Sequence, residues 1–206
     1  MIPKLLRARD FDPAPHEADV ISRLDSKLHI KFSLDENGDV HTVFVCDSLE
    51  DSCVSLLFGL SKLTELHVLH FPPSFPGKLT ETGIASMATH LRLQSLSLQN
   101  ARVTPAMLQA LTKIRSLRWL HLNSCGLNDA HLPLLSRGCT ELLGLGLNWN
   151  TVTDSGLKSL STMYKLRWLS VVGTCVTRSG AMAFMEDRQT CRVFLESDGE
   201  GECRPS

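Results

Sequence analysis

Seven cysteines and eight histidines are the residues of this 206-residue chain with the chemistry to bind a metal, close a disulfide or act as a nucleophile. Their spacing points to none of these. The cysteines stand at Cys46, Cys53, Cys125, Cys139, Cys175, Cys191 and Cys203, with no Cys-x-x-Cys pair and no zinc-ligand spacing. Their number is odd and the start of the chain lacks the apolar stretch of a secretory signal, so they read as reduced thiols used as compact buried hydrophobes. His67 and His70 have the separation of two ligands. On a strand, however, they point to opposite faces, which makes them two polar residues beside a proline-rich loop. The sequence contains no glycine-rich phosphate loop, nucleophile elbow or helix-borne His-Glu-x-x-His. The expectation is a chain that is not an enzyme and holds no metal and no cofactor.

Recognition is the chemistry left, and its residues are placed by a repeat. The pattern L-x-x-L-x-L occurs at Leu93, Leu96, Leu98; at Leu117, Leu120, Leu122; at Leu142, Leu145, Leu147; and at Leu166, Leu169, Val171. The first residues of these sets are 24, 25 and 24 apart. Eight residues after each first leucine stand Ala101, Cys125, Asn150 and Thr174, followed by an apolar residue and then by a helix-capping type, Thr104, Asn128, Thr153 or Thr177. A helical stripe completes each unit: Leu108 with Leu111, Leu132 with Leu135, Leu157 with Leu160, Ala181 with Phe184. Each unit is therefore expected to run strand, turn, cap, helix.

On these residues the chain resembles a leucine-rich repeat protein of the short, cysteine-containing or bacterial V-T-D-x-G-L type, most plainly at Val152, Thr153, Asp154, Gly156 and Leu157. The resemblance implies an α/β fold, a right-handed curved solenoid with parallel strands on the concave side and helices on the convex side. The chain departs from the pattern in Arg178, where the Asp would stand, and in Pro105 and Met107 of the earliest regular unit.

Weaker copies extend the array. Val40, Val43 and Val45 begin a first unit, and Leu63, Leu66 and Val68 a second that carries an insert from Phe71 to Lys78 with three prolines, expected to be a stiff loop. Cys191, Phe194 and Glu196 are expected to open a closing strand. Residues 40–196 thus read as about six units plus that strand, and stacking buries each leucine at roughly 1.5–3 kcal/mol. Val20, Ile21, Leu24 and Leu28 have the spacing of an amphipathic helix. It leads into the alternating strand Leu28, Ile30, Phe32, Leu34 and a turn at Asp35–Asp39, so residues 1–39 are expected to form a capping helix and strand. Residues 197–206 are small, polar or charged and are expected to be disordered.

A net charge of -1 and the absence of any bilayer-length apolar run speak against nucleic acid or a membrane as partner. The expected compartment is the cytoplasm, although Lys4, Arg7 and Arg9 also fit a mitochondrial presequence. Oligomeric state is left open.

The repeat also fixes which side chains leave the core. The third positions, in order, are Thr42, Glu65, Ser95, Trp119, Gly144, Trp168 and Val193; the fifth are Phe44, His67, Ser97, His121, Gly146, Ser170 and Leu195; the seventh include Asn123 and Asn148. Trp119 and Trp168 then flank a strand that presents only glycines, roughly 10 Å apart at two strand spacings. Either the indoles wall an open notch or they fold over Gly144 and Gly146. The expected function is binding of a protein or peptide on the concave face through Trp119, His121, Asn123, Asn148, Trp168 and Ser170. The alternative is a structural subunit or adaptor that docks through its convex helices or the proline-rich insert.

Overall fold

Short runs of alternating core-facing and outward residues give strands, and each Thr or Asn that follows starts a helix by accepting a backbone N–H with its side chain. The computed structural model describes residues 14–47, 49–69 and 79–195, with the backbone of a two-residue strand before them. In chain order the elements are β1 (Leu6–Arg7), α1 (Ala18–Lys27), β2 (Ile30–Leu34), β3 (Val40–Val45), α2 (Asp51–Leu57), β4 (Glu65–Leu69), α3 (Glu81–His90), β5 (Ser95–Gln99) and α4 (Pro105–Leu111). There follow β6 (Trp119–His121), a 3-10 turn (Asp129–His131), α5 (Leu132–Gly138), β7 (Gly144–Gly146), α6 (Asp154–Ser159), β8 (Trp168–Ser170), α7 (Arg178–Asp187) and β9 (Arg192–Phe194).

Among the described residues these strands form one nine-stranded sheet in sequence order. β1 to β3 pair antiparallel and β3 to β9 pair parallel. The register aligns Val43, Leu66, Leu96, Leu120, Leu145, Leu169 and Val193 in a single row across seven strands. That row and the helix stripes share one core, in which Leu108, Leu111, Leu132, Leu135, Leu157, Leu160, Ala181 and Phe184 are all buried. The result is a leucine-rich-repeat-like α/β fold. Ile21 and Leu24 of α1 enter the same core, and β2 turns into β3 through Gly38 at φ +84°, a left-handed position that suits glycine.

Two sets of polar residues tie each unit to the next. Asn150 is buried; its Oδ1 accepts the amides of Cys125 and Leu127, and its Nδ2 donates to the carbonyls of Leu122, Leu147 and Asn148. One side chain thus serves five backbone groups, of which the Asn148 carbonyl also accepts the Ser124 amide. Cys125, one unit earlier at the equivalent position, is buried with its Sγ 3.1 Å from the Leu98 carbonyl. On the helix side, Asp51, Asp129 and Asp154 each accept both the amide and the hydroxyl of the capping threonine one unit on, Thr80, Thr153 and Thr177. Arg178 is the first residue of α7, after which the described chain has no further helix whose cap an Asp there would brace. Pro105 sits at the first turn of α4, where a missing N–H costs nothing, and Thr104 caps that helix by accepting from Met107 at 3.2 Å.

Three expectations are corrected or left aside. The closing strand is shifted by one residue: Trp168 pairs with Arg192 and Ser170 with Phe194, so Arg192 and Phe194 face outward while Val193 packs against the core. A one-residue slip exchanges the two faces of a strand. The true continuation of the row lies 24 residues beyond Leu169, at Val193, whereas the buried Cys191 ends the preceding turn. Cys46, Cys53, Cys125, Cys139 and Cys191 are free thiols, but Cys175 is disulfide-bonded, against the expectation that all would be reduced. The expectations for His70, for the proline insert and for the tail at 197–206 lie outside the described residues.

Candidate functional site

Parallel pairing sets β6, β7 and β8 side by side with Trp119, Gly144 and Trp168 in one row and His121, Gly146 and Ser170 in the next. Because alternate residues of each strand enter the core, these rows belong to the opposite face of the sheet. The glycines do not leave a bare floor. A Cβ on Gly144 would overlap the six-membered ring of Trp119, and one on Gly146 would stand 2.6 Å from His121 Nδ1, so both glycines are covered by their neighbours from β6. Both are buried. The Trp119 and Trp168 rings are 6.4 Å apart at 58°, closer than the roughly 10 Å of an open notch two strand spacings wide. Neither arrangement is formed as expected: Trp119 lies over Gly144, His121 rather than an indole lies over Gly146, and Trp168 packs against both rings.

What the face presents instead is a continuous aromatic layer. His121 meets Trp168 edge-on at 5.4 Å, and Trp168 meets Phe194 at 5.6 Å. Such pairs contribute about 0.5–1.5 kcal/mol each beyond their buried area. Much of the layer remains open to solvent, with Trp119 at 39% and Phe194 at 43% exposure. The other three expected residues form a hydrogen-bonded chain beside it. Asn123 Oδ1 accepts the amide of Asn148, and Asn148 Oδ1 accepts both the Ser170 hydroxyl at 2.7 Å and the Val172 amide. Their oxygens are thus spent on holding adjacent turns, which leaves the two Nδ2 groups as the donors outside this chain of bonds.

Burial lowers the pKa of His121, with the nearby His67 adding to the effect, and burial also lowers that of His67. Both rings therefore hold a proton less readily than an ordinary histidine. His67 stacks on Phe44 at 4.6 Å and lies 3.7 Å from Glu65, on β4, five strands from Phe194 on β9.

Two aromatic residues of interest were not among the expected site residues. Phe194 stands at an inward position in the expected register of the closing strand and on the outward face in the register formed. Trp149 is 53% exposed at the turn after β7, where it adopts φ +59° and lies over Gly173 of the next turn. Its repeat equivalents Asn100 and Ser124 share that left-handed conformation. None of the six expected residues falls in a group of three metal-ligating side chains; the group found among the described residues is His16, Glu17 and Asp39, at the other end of the sheet.

No protein-family model matches the chain, and no curated protein matches it. Its structure is similar to that of an internalin, InlF, from Listeria monocytogenes, with a TM-score of 0.49 and 16% identity over 81% of this chain and 52% of that one. The chain spans about half the length of that internalin. No helix among the described residues is long and apolar enough to cross a membrane.

Proposed function

We propose that the chain is a non-enzymatic interaction module, a right-handed leucine-rich-repeat solenoid that holds a protein or peptide partner on its concave, strand-lined face. The observation that carries this reading is the aromatic layer of the exposed Trp119 and Phe194 with the half-buried Trp168 between them, on the sheet face away from the core, bordered by His121 and by the Nδ2 donors of Asn123 and Asn148. Large aromatics beside a few oriented polar groups are the composition of binding hot spots, and curved repeat arrays present extended surfaces of this kind. Within the reading, residues 40–196 are six units and a closing strand, and residues 1–39 cap them with a helix and hairpin. The bracing of Thr153 by Asp129 supports the short V-T-D-x-G-L type.

Affinity capture with the full chain, comparing wild type, Trp119→Ala with Trp168→Ala, and Met182→Ala on the exposed side of α7, tests the assignment. A protein retained by wild type and by Met182→Ala but lost from the double variant is the expected result. Retention by the double variant and loss from Met182→Ala would instead favour an adaptor that docks through its helices, for which Met182, 51% exposed, is the helix-borne apolar candidate among the described residues.

A further inference from the structure

The end of the sheet formed by β1, β2 and β3 holds a group of side chains that protein binding on the aromatic face does not use. Glu17, the residue before α1, is fully buried at 0% exposure, an unusual place for a carboxylate. Its Oε2 accepts the Val40 amide at 2.8 Å, while its Oε1 has no hydrogen-bond partner. A buried polar atom left bare costs free energy that most folds avoid. Around it stand Asp39 and His16, whose Nε2 lies 3.5 Å from Asp39 Oδ1. One ligand atom from each of His16, Glu17 and Asp39 lies within 4.8 Å of the other two.

The local charge is lopsided. Asp35 is close enough to be felt by Glu17, but its Oδ1 is held by the amides of Asn37 and Asp39. Among the described residues, His16 is the one basic side chain felt by Glu17. A cation at Oε1 would remove both the bare acceptor and the excess of negative charge.

We propose that His16 Nε2, Glu17 Oε1 and Asp39 Oδ1 bind one divalent transition-metal ion of the Zn2+ class where α1 meets the β2–β3 hairpin. Ligands about 2.0–2.2 Å from a tetrahedral zinc stand about 3.3–3.5 Å from one another, and the His16–Asp39 pair already has that separation. An imidazole with two carboxylates suits zinc better than magnesium, which takes oxygen ligands in an octahedron. The Val40 amide orients the Glu17 carboxylate from behind, as partners of ligating groups do in metal sites. The side chain of His16 is 60% exposed, which leaves an open side for a water as fourth ligand. Bound there, the ion would fasten α1 to the start of β3.

Zn2+ titration of the full chain by calorimetry, repeated with Co2+ and read by absorption, tests this. Wild type is expected to bind one equivalent with a rise in Tm, and Co2+ is expected to give visible d–d bands without the near-ultraviolet thiolate band that binding at a cysteine would produce. His16→Ala and Asp39→Asn should each weaken binding about tenfold or more. Glu17→Gln should abolish the one-equivalent site while keeping the Val40 bond, with an apo Tm no lower than wild type. No binding by wild type in excess Zn2+, a thiolate band, or unchanged affinity in well-folded His16→Ala would overturn the proposal.

Discussion

Whether glycine stands three residues after a helix cap is decided in this protein by the residue one repeat earlier. At Gly83, Gly156 and Gly180 a Cβ would collide with the carboxylates of Asp51, Asp129 and Asp154, the groups that brace the capping threonines. Where the preceding unit offers Glu81 or Pro105 at that position, Met107 and His131 occupy the place of the glycine. Gly156→Ala should therefore displace Asp129 and destabilise the fold by about 1–3 kcal/mol in urea unfolding. In Asp129→Ala the same Gly156→Ala change should cost much less, and a strictly additive double variant would show that the two residues do not communicate. The cysteines allow a second check. Burial pushes the Cys125 thiol up to about 12 and the Cys139 thiol up to about 11. Since the thiolate is the reactive form, iodoacetamide at pH 8 should label the partly exposed Cys46 well before either of them. Equal labelling rates, followed by peptide mass spectrometry, would contradict their burial.

The strands and helices themselves were largely legible, because leucine and valine triads at a fixed period specify both a strand and its inward face. The capping threonines were legible for the same reason: Thr104, Thr153 and Thr177 sit at one offset from those triads and each accepts a backbone N–H as expected. The closing strand was misread because Cys191 is apolar and buried, yet it belongs to the turn, and period alone cannot separate two candidates one residue apart. Nor could sequence decide how the indoles lie, since the choice depends on which neighbour fills the space above Gly144 and Gly146. The burial of Glu17 gave no sequence signal at all, being imposed by the hairpin that folds over it. The strand-borne histidines carry a prediction for pH. Folded His67 and His121 hold protons less readily than the ordinary histidine value of 6.5. The unfolded chain then binds more protons in this range, so their contribution to stability is full above pH 6.5 and is lost as pH falls through the lowered folded values. Between pH 7 and pH 5 Tm should fall, and it should fall less in His121→Asn. An identical pH slope in the variant would show that His121 is not the group responsible.

Stacking in sequence order makes each unit depend on its neighbours for burial, so the seven aligned core residues from Val43 to Val193 act as one body rather than as separate strand–helix pairs. The same alignment collects Trp119, His121, Trp168 and Phe194, which are scattered over 76 positions of chain, into one layer on the far side of the sheet. That layer is the feature of the molecule from which its proposed role in binding protein follows. Photo-crosslinking tests it most directly. With p-benzoylphenylalanine placed at Phe194 in one full-length protein and at Met182 in another, partner adducts are expected from position 194 and not from position 182. Adducts from position 182 alone would contradict the assignment and move the docking surface to the helices.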